Sequence, residues 1–394
     1  MNHRISHTLN GMLLFLTCLA TVSCGQEEMP TPDTPGDSRP QVVLTFSTSP
    51  GLTTRTQLSG PDNLQHVQMV QLYIFNGTGN DAQCVASEAV DWEDVKAPEG
   101  GATTASKTHP VQYNQFTAGQ PYTFLAVGMD DCSGETYGLP AAVQAGQTTL
   151  GNAKAVLASG KTRNDIAVSE LFGGSIVLTP VEKGQITGTI DLYRRVAGVM
   201  GWFKNLPKQV KGTDVASLRI ELYKAQNKSI RLTKPQSGMD VIMEPIAEND
   251  DNKILVQINL DEKDFEPDAV VSKGSYVLPM IAPFASADKM TNAGYSDESI
   301  YVKDYTLRVV LADADGNVLQ AKRVKNNETD TNGGTAGGTG IIPISDAYRF
   351  PINANWFYPI GTKDAPVVWP EEEESNILIT VHPNWEGVTD LPLD

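Results

Sequence analysis

The sequence predicts an all-β protein with two β-sandwich domains in tandem, behind a lipoprotein signal peptide and a flexible tether. Three observations carry this prediction. Beyond residue 40, short runs rich in Val, Ile, Thr, Tyr and Phe alternate with Gly, Pro, Asn and Asp. The order of these runs repeats weakly in the second half of the chain. The 394 residues are also more than one small domain usually contains.

The N-terminus has the layout of a secretory signal. Arg4 precedes the apolar run "GMLLFLTCLATVS", which is too short to cross a membrane as a helix. Cys24 follows directly, so we expect residues 1–23 to be removed and Cys24 to be lipidated. An ordinary signal cleavage nearby, with Cys24 incidental, is the alternative. Residues 24–40 are rich in Pro, Asp and Glu and predict a flexible, solvated tether.

The first half after the tether contains several predicted strands. Val42, Leu44 and Phe46 alternate with other residues, which predicts a strand with one apolar face. Further strands are predicted in "VQMVQLYIFNGTG", which ends in an Asn-Gly turn, in "GQPYTFLAVGMDD" and in "GSIVLTP". The more polar "TASKTHPVQYNQF" predicts an edge strand, and residues 141–170 have a composition that allows one short helix.

The second half repeats this order by pattern rather than by identity. The runs "RVAGVMGWFKNLP" and "DVASLRIELYKAQNKS" correspond to the first two strands of the first half, and "KGSYVLPMIAPF" corresponds to "GQPYTFLAVGMD". We therefore expect one sandwich over residues 41–188 and a second over residues 189–394. The join lies within "EKGQITGTIDLYRR".

Charge and cysteine content limit the partners and the compartment. A net charge of −17 argues against binding to nucleic acid and against electrostatic adhesion to anionic lipid. Cys18 lies in the leader, so Cys84 and Cys132 are the thiols that remain beside Cys24. In an exported protein these two can form a disulfide. Two buried or free thiols are the alternative.

Signals for catalysis or for metal binding are weak. After the leader, the histidines are His66, His109 and His382, and none has metal-ligand spacing to another His or Cys. The chain has no G-x-S-x-G, Walker or H-E-x-x-H motif. We therefore expect no enzyme activity, no cofactor and no metal.

One acidic loop resembles the start of a calcium-binding loop. Asp313, Asp315 and Asn317 alternate, but Val318 and Val324 occupy the places where an EF-hand has Gly and Glu. The Asp-Gly pair between two strand-like runs predicts a hairpin turn instead.

Three consecutive aromatic residues offer the clearest candidate for ligand contact. Trp356, Phe357 and Tyr358 could form a carbohydrate platform if their rings were exposed, whereas a sandwich core would bury most of them. We favour the structural role.

The first and last strand-like segments have the same alternation of apolar residues, so either could occupy the same strand position in a sheet. Arg55 lies in the loop after the first segment, and a cut there would release that segment and open an apolar groove. The last segment of another copy could enter the groove by strand addition. The alternative is that both are ordinary resident strands. The alternating apolar residues are Val42, Leu44 and Phe46 in the first segment and Ile377, Ile379 and Val381 in the last.

Over almost its whole length the chain resembles the fimbrillins, the type V pilus subunits of Bacteroidales, with their anchor and tip relatives. The likeness rests on "CGQEEMP" after the lipid cysteine, "VVLTFSTS…TTRT", "VQLYIFNGTG", "IDLYRRVAGVMGWF", "ANWFYPIGTK" and "ILITVHPNW" in this order. The resemblance implies two transthyretin-like sandwiches and an outer-membrane lipoprotein held at the cell surface by acyl chains.

The resemblance also implies a route of assembly. A trypsin-like, arginine-specific protease would cut between Arg55 and Thr56 and remove the first strand with its lipid. A donor strand that ends near Trp385 would then enter the groove of a neighbouring pilus subunit. We expect a structural subunit of an adhesive fimbria, with a stalk or tip role favoured over an anchor role. A monomeric surface lipoprotein that binds glycan or a host protein is the alternative.

Overall fold

The computed structural model describes residues 39–48, 67–92, 106–233, 241–284, 288, 304–326, 347–371 and 375–381. The chain divides at Ser38, and Arg39–Asp394 forms a single compact unit. The leader and almost all of the tether lie outside the described residues. Nearly all of the regular structure in the described part is β-strand, which confirms the predicted all-β class.

In the first half, the part of the chain that the structure describes forms eight strands and two short helices. The strands are β1 (Gln41–Thr48), β2 (Met69–Phe75), β3 (Cys84–Val90), β4 (Ser106–Pro110), β5 (Tyr122–Met129), β6 (Lys154–Val156), β7 (Leu171–Leu178) and β8 (Gln185–Arg194). The helices are α1 (Ser133–Thr136) and α2 (Arg163–Ala167), and Leu150–Asn152 forms a 3₁₀ turn. Thr162 and Asp165 form a capping box at the start of α2, which satisfies backbone N–H groups that a helix start leaves open.

Seven of these strands form one sheet that folds back on itself. The strand order is β3-β2-β5-β7-β8-β1-β4. β7 and β8 pair only at Phe172–Arg194 and Gly173–Tyr193. At Gly174 a Cβ atom would lie 2.0 Å from the carbonyl oxygen of Asp191, so only glycine fits where the two strands part. The sheet bends there, and β1 with β8 packs over β2 with β5 around one apolar core.

The described residues of the second half contain twelve strands. They are β9 (Ala197–Lys204), β10 (Gln209–Val210), β11 (Thr213–Asp214), β12 (Ser217–Leu222), β13 (Ser229–Arg231), β14 (Ile254–Asn259), β15 (Val270–Val277), β16 (Leu307–Ala312), β17 (Val318–Asn326), β18 (Phe357–Ile360), β19 (Val367–Val368) and β20 (Ile377–Ile379). Asp251–Lys253 and Glu262–Phe265 form 3₁₀ turns.

Two sheets of the second half form a second sandwich. One has the order β14-β12-β16-β17-β20, and the other has β9 between β15 and β18, with β19 also paired to β9. Apolar side chains from both sheets interdigitate in one cluster, among them Phe203 of β9, Ile220 of β12 and Tyr358 of β18. The packing of two inner faces in this way is what defines a β-sandwich.

The two halves share structure where they meet. β6 of the first half pairs with β13 of the second. A third apolar cluster joins Tyr73 and Leu125 from the first sheet to Trp202, Leu278 and Phe357 from the second half. The surfaces through which the two sandwiches meet are therefore buried in a common apolar core.

The strand β8 occupies the segment in which the join of the two sandwiches is expected. The expected bound between residues 188 and 189 falls inside β8, which pairs with β1 from Gln185 to Leu192. The next strand, β9, belongs to the sheets of the second half. The chain thus leaves the first sheet after Arg194, where β8 ends.

The weak repeat is matched for two strand pairs and fails for a third. β2 lies between two antiparallel neighbours, and so does β12. β1 pairs parallel with β8 and antiparallel with β4, and β9 likewise combines the parallel strands β18 and β19 with the antiparallel strand β15. β5 pairs with β2, but its predicted counterpart β15 pairs with β9 and not with β12.

Candidate functional site

The first strand is an inner strand with one face in the core. In β1 the side chains of Val42, Leu44 and Phe46 are at most 2% exposed, and the intervening residues are partly exposed. These three side chains contact the core cluster that β2, β5 and β8 line. The alternation read from the sequence is therefore the alternation of the structure, as the two-residue period of a strand requires.

The first strand has a neighbour on each edge. β1 runs parallel to β8 from Gln41–Gln185 to Thr48–Leu192, and antiparallel to β4 from Val43–Pro110 to Ser47–Ser106. Both of its edges are therefore engaged in ladder hydrogen bonds. Removal of β1 would leave the facing edges of β8 and β4 unpaired and expose the apolar floor between them.

Glu88 joins the two ends of the folded sheet. It lies on β3, and its Oε2 is 3.2 Å from Nε2 of His109 on β4. The same carboxylate accepts hydrogen bonds from the backbone N–H groups of Gln112 at 2.9 Å and Tyr113 at 2.6 Å. Because β3 and β4 are the terminal strands of the order, these contacts close the sandwich at its open side.

The environment of Glu88 favours its ionised form. Burial alone raises the pKa of the Glu88 carboxyl. The hydrogen bonds from His109, Gln112 and Tyr113 outweigh this effect and hold that pKa below its ordinary value. The closure of β3 on β4 is therefore a charge-assisted contact at neutral pH.

The last described strand lies at the edge of the second sandwich. β20 runs parallel to β17, with Ile377 opposite Val324 and Ile379 opposite Asn326. Ile377, Ile379 and Val381 are at most 3% exposed and belong to the core of the second sandwich, whereas Leu378 is 56% exposed. The predicted donor segment thus has the same one-sided pattern as β1.

A buried ion pair lies where β8 ends. Arg194 and Glu170 have fully buried side chains, and Arg194 Nε donates to Glu170 Oε1. The guanidinium of Arg194 also lies over the ring of Phe172, 5.6 Å from its centroid. Tyr276 of β15 adjoins this pair, and burial followed by the charge of Glu170 raises the pKa of Tyr276.

The ion pair was not found from the sequence. The signal was present in "LYRRVAG", where two arginines interrupt a run of strand-forming apolar residues. Charged side chains that are fully buried are almost always paired. The partner Glu170 is distant in sequence and is brought to Arg194 only by the pairing of β7 with β8.

The two cysteines are free thiols in this structure, which is one of the two alternatives that the sequence leaves open. Cys84 is buried in the core, where its Sγ donates to the carbonyl of Ala86 at 3.4 Å. Cys132 is an exposed free thiol beside α1. A buried thiol and an exposed thiol face different surroundings, so proximity to strand ends in sequence was not enough to pair them.

The acidic loop is a hairpin turn, as predicted. Asp313 Oδ1 accepts the backbone N–H of Asn317 at 2.8 Å, and Oδ2 accepts its side-chain amide at 2.9 Å. Gly316 has a φ of 85°, which a tight turn between β16 and β17 requires. No group of three potential metal ligands occurs among the described residues.

The aromatic triplet is structural for two of its three members. Phe357 and Tyr358 are fully buried, and Trp356 is partly buried. The hydroxyl of Tyr358 donates to the carbonyl of Pro351 at 2.8 Å and accepts the N–H of Asn353 at 2.9 Å. Because their rings are enclosed, Phe357 and Tyr358 cannot form an exposed sugar platform.

Several predicted site residues lie outside the described residues. They are the lipidation site Cys24, the cleavage site at Arg55 and Thr56, and Trp385 near the end of the donor segment. In the part of the chain that is described, no helix has the length and apolar character needed to cross a membrane.

Comparison with protein families gives one match over most of the chain. The model of the fimbrillin-A associated anchor proteins Mfa1 and Mfa2 matches residues 33–386. A comparison with curated protein sequences gives no significant match.

Comparison with solved structures gives similar chains of low identity. The tip fimbrial protein Mfa3 from Porphyromonas gingivalis is 13% identical, with 87% of this chain and 99% of that chain covered at a TM-score of 0.40. The anchor protein Mfa2 from the same organism is also 13% identical, with coverage of 72% and 81% and a TM-score of 0.35. A fimbrial assembly protein from Parabacteroides distasonis is 11% identical, with coverage of 81% and 90% and a TM-score of 0.37.

Proposed function

Because the chain belongs to the family of fimbrillin-A associated anchor proteins Mfa1 and Mfa2, we propose that its first strand holds the place of a strand from a neighbouring fimbrial subunit. The family is one of structural fimbrial proteins at the cell surface. The chain is accordingly a fimbrial subunit that serves adhesion and associates with other pilus subunits.

The position of β1 carries the proposal. Its apolar residues fill the core, and both of its edges are paired. Such a strand is hard to leave out of a stable fold, because the unpaired edges and the apolar floor would be costly in water. Another strand with the same alternation could nevertheless fill the same groove.

The remaining steps concern residues outside the described part. We propose that Cys24 is lipidated and holds the precursor at the outer membrane, and that a trypsin-like, arginine-specific protease cuts after Arg55. The cut would free β1 with its lipid. The segment from Asn376 to Trp385 would then act as the donor strand toward the next subunit.

The role within the fimbria depends on whether the cut occurs. A cut at Arg55 fits a stalk or tip subunit, which loses its first strand. An anchor keeps both its lipid and β1, and the matched family is described as one of anchor proteins. The description of the matched family therefore supports an anchor role. The presence of Arg55 is the one observation that supports a stalk or tip role.

Limited proteolysis tests the proposal. We expect trypsin to nick the purified precursor after Arg55 and the nicked protein to exchange its first strand for a matching free peptide of residues 40–49. The Arg55→Ala variant should be neither nicked there nor able to exchange its first strand. A clean nick after which no added strand enters the protein would contradict strand exchange and favour a monomeric surface lipoprotein. Retention of acyl label on uncut surface protein would identify the anchor role.

A further inference from the structure

The groove around β1 has a large site at its third inward position, and the inference drawn from it rests on the proposed function. Phe46 occupies this site and has no solvent-exposed surface. It stands opposite Ile190 of β8 and Lys107 of β4. The ring of His109 lies 6.3 Å from the ring of Phe46, between centroids. The walls of the groove are thus packed around an aromatic side chain.

The tail of the chain lacks an aromatic residue for this site in the register that matches best. If Ile377 takes the place of Val42, then Ile379 takes the place of Leu44 and Val381 that of Phe46. A valine there leaves unfilled the volume that a phenylalanine occupies, and an unfilled core volume is destabilising. Pro383 falls at the place of Thr48, beyond the last residue pair between β1 and β4.

The neighbouring registers do not repair this mismatch. A shift of two residues one way places Ile379 at the Phe46 site, and the opposite shift places Pro383 there. Trp385 reaches the site only after a shift of four residues, which puts Pro383 at the place of Leu44. That place is paired to Gly188 on one side and to His109 on the other. Proline cannot donate to either ladder and is avoided in inner strands.

We propose that the β1 groove is built for a strand from a different subunit rather than from a second copy of this chain. The fitting strand runs parallel to β8 and antiparallel to β4. It carries aliphatic side chains at its first two inward positions and an aromatic side chain at the third. A fimbria would therefore contain this chain next to a dissimilar subunit on the side of the groove.

Peptide exchange into the nicked full-length protein tests this. The protein is cut after Arg55 and incubated with an isotopically heavy peptide of residues 40–49, or with a tail peptide of residues 375–387 in its native form or carrying Val381→Phe. Native mass spectrometry then measures replacement of the β1 fragment. We expect the Val381→Phe peptide to bind at least about tenfold more tightly than the native tail, because it fills the Phe46 site.

Two further tail peptides serve as controls. Leu378→Phe adds the same ring at an outward position and should bind like the native tail. Trp385→Ala should also bind like the native tail, since Trp385 does not reach the groove in the best register. Equal binding of the native and Val381→Phe tails, or a loss of binding with Trp385→Ala, would overturn the inference.

The same experiment separates this inference from the proposed function. If the heavy peptide of residues 40–49 replaces the β1 fragment, the groove accepts added strands and only the choice of partner is at issue. If neither that peptide nor any tail peptide enters the nicked protein, strand exchange itself is wrong, and the inference falls with it.

Discussion

Glu88 is the residue at which the two ends of the first sheet meet. β4 has β1 as its only strand neighbour in the described structure. The three bonds that Glu88 accepts from His109, Gln112 and Tyr113 tie β4 to β3 independently of β1. If β1 were removed, as the proposed function requires, these bonds would keep β4 attached to β3.

Replacement of the Glu88 carboxylate by an amide of similar shape should weaken the contact between β3 and β4. We expect Glu88→Gln to lower the free energy of unfolding by about 1–2 kcal/mol at pH 7, since hydrogen bonds to a charged acceptor are stronger than those to a neutral one. Urea denaturation measures the change. Glu262→Gln is the matched control, because Glu262 forms an exposed pair with Lys208 and should contribute little. An equal loss in both variants would contradict the role of Glu88.

The sign of the pH dependence follows from the lowered pKa of Glu88. The folded-state pKa lies below the value of about 4.3 that an unfolded chain has, so the carboxylate stabilises the fold above that pH. This contribution is lost as the pH falls through the lower folded pKa. The difference between Glu88→Gln and the native protein should therefore shrink below about pH 4 and vanish when Glu88 is protonated in both states. A difference that is constant from pH 7 to pH 3 would contradict this.

The Glu170–Arg194 pair is the other residue-scale feature with a large expected effect. Both side chains are fully buried, so removal of either one leaves an uncompensated charge in the interior. We expect Glu170→Met or Arg194→Met alone to cost about 3–5 kcal/mol of unfolding free energy in urea.

A double-mutant cycle checks that the two residues act as a pair. Glu170→Met combined with Arg194→Met should cost much less than the sum of the single changes, because no unpaired charge remains. Asp304→Asn provides a surface comparison, since Asp304 pairs with Arg323 at 3.4 Å in an exposed position. Additive losses in the double variant would show that the pair is not coupled.

The structural role of a residue was predictable where a local sequence pattern determines it. The inward positions of β1 followed from alternation, and the Asp313–Asn317 turn followed from its Asp-Gly pair. The contact of Glu88 with His109 was not predictable, because it joins strands that are distant in the sheet order and adjacent only after the sheet folds back. The thiols of Cys84 and Cys132 show the same limit, since their spacing does not determine that one is buried and the other exposed.

At the scale of elements, β20 is held by its inward face. Ile377 and Ile379 point into the core of the second sandwich, and Leu378 points to solvent. The proposed donor role would require this strand to leave that core, so the free energy that attaches β20 to the second sandwich bears on that proposal.

A pair of alanine substitutions measures that attachment. We expect Ile379→Ala to lower the free energy of unfolding by about 2–5 kcal/mol through loss of buried surface and the cavity left behind. Leu378→Ala, the adjacent residue with 56% exposure, should change it by less than about 0.5 kcal/mol. Equal effects in chemical denaturation would show that β20 does not rest on this face.

Strand existence was predictable from the sequence, but strand pairing was only partly so. The edge position of β4 and the alternation in β1 were expected and are found. The parallel pairing of β1 with β8 was not expected, because 136 residues separate Thr48 from Gln185 and no local signal reports so distant a neighbour. The failure of β15 to repeat the pairing of β5 has the same cause.

At the scale of the whole molecule, the two sandwiches are joined by a common apolar cluster and by the pairing of β6 with β13. The repeat of strand patterns predicts a division into two halves. The shared core was not, because its members from each half read as ordinary inward residues of their own strands.

The shared core predicts cooperative unfolding. Hydrogen exchange at increasing urea concentration follows the backbone amides of β2 in the first sandwich and β12 in the second. We expect both sets of amides to lose protection at the same urea concentration. Leu278→Ala, which truncates a second-half residue in the shared core, should lower the midpoint for both strands together. Separate midpoints for β2 and β12 would contradict one cooperative unit.

The parallel pairing of β1 with β8 has a mechanical consequence. β8 runs into β9 after a bend of two residues, and β9 is an inner strand of the second sandwich. Tension applied along β1, or along a strand in its place, would pass to β8 through the hydrogen bonds of a ladder of eight residue pairs. The evenly spaced, slanted hydrogen bonds of this parallel ladder are then loaded in shear, all at once, rather than unzipped one after another. If a strand from another subunit took the place of β1, as we propose, the fold would offer a short, continuous path for force between the two subunits.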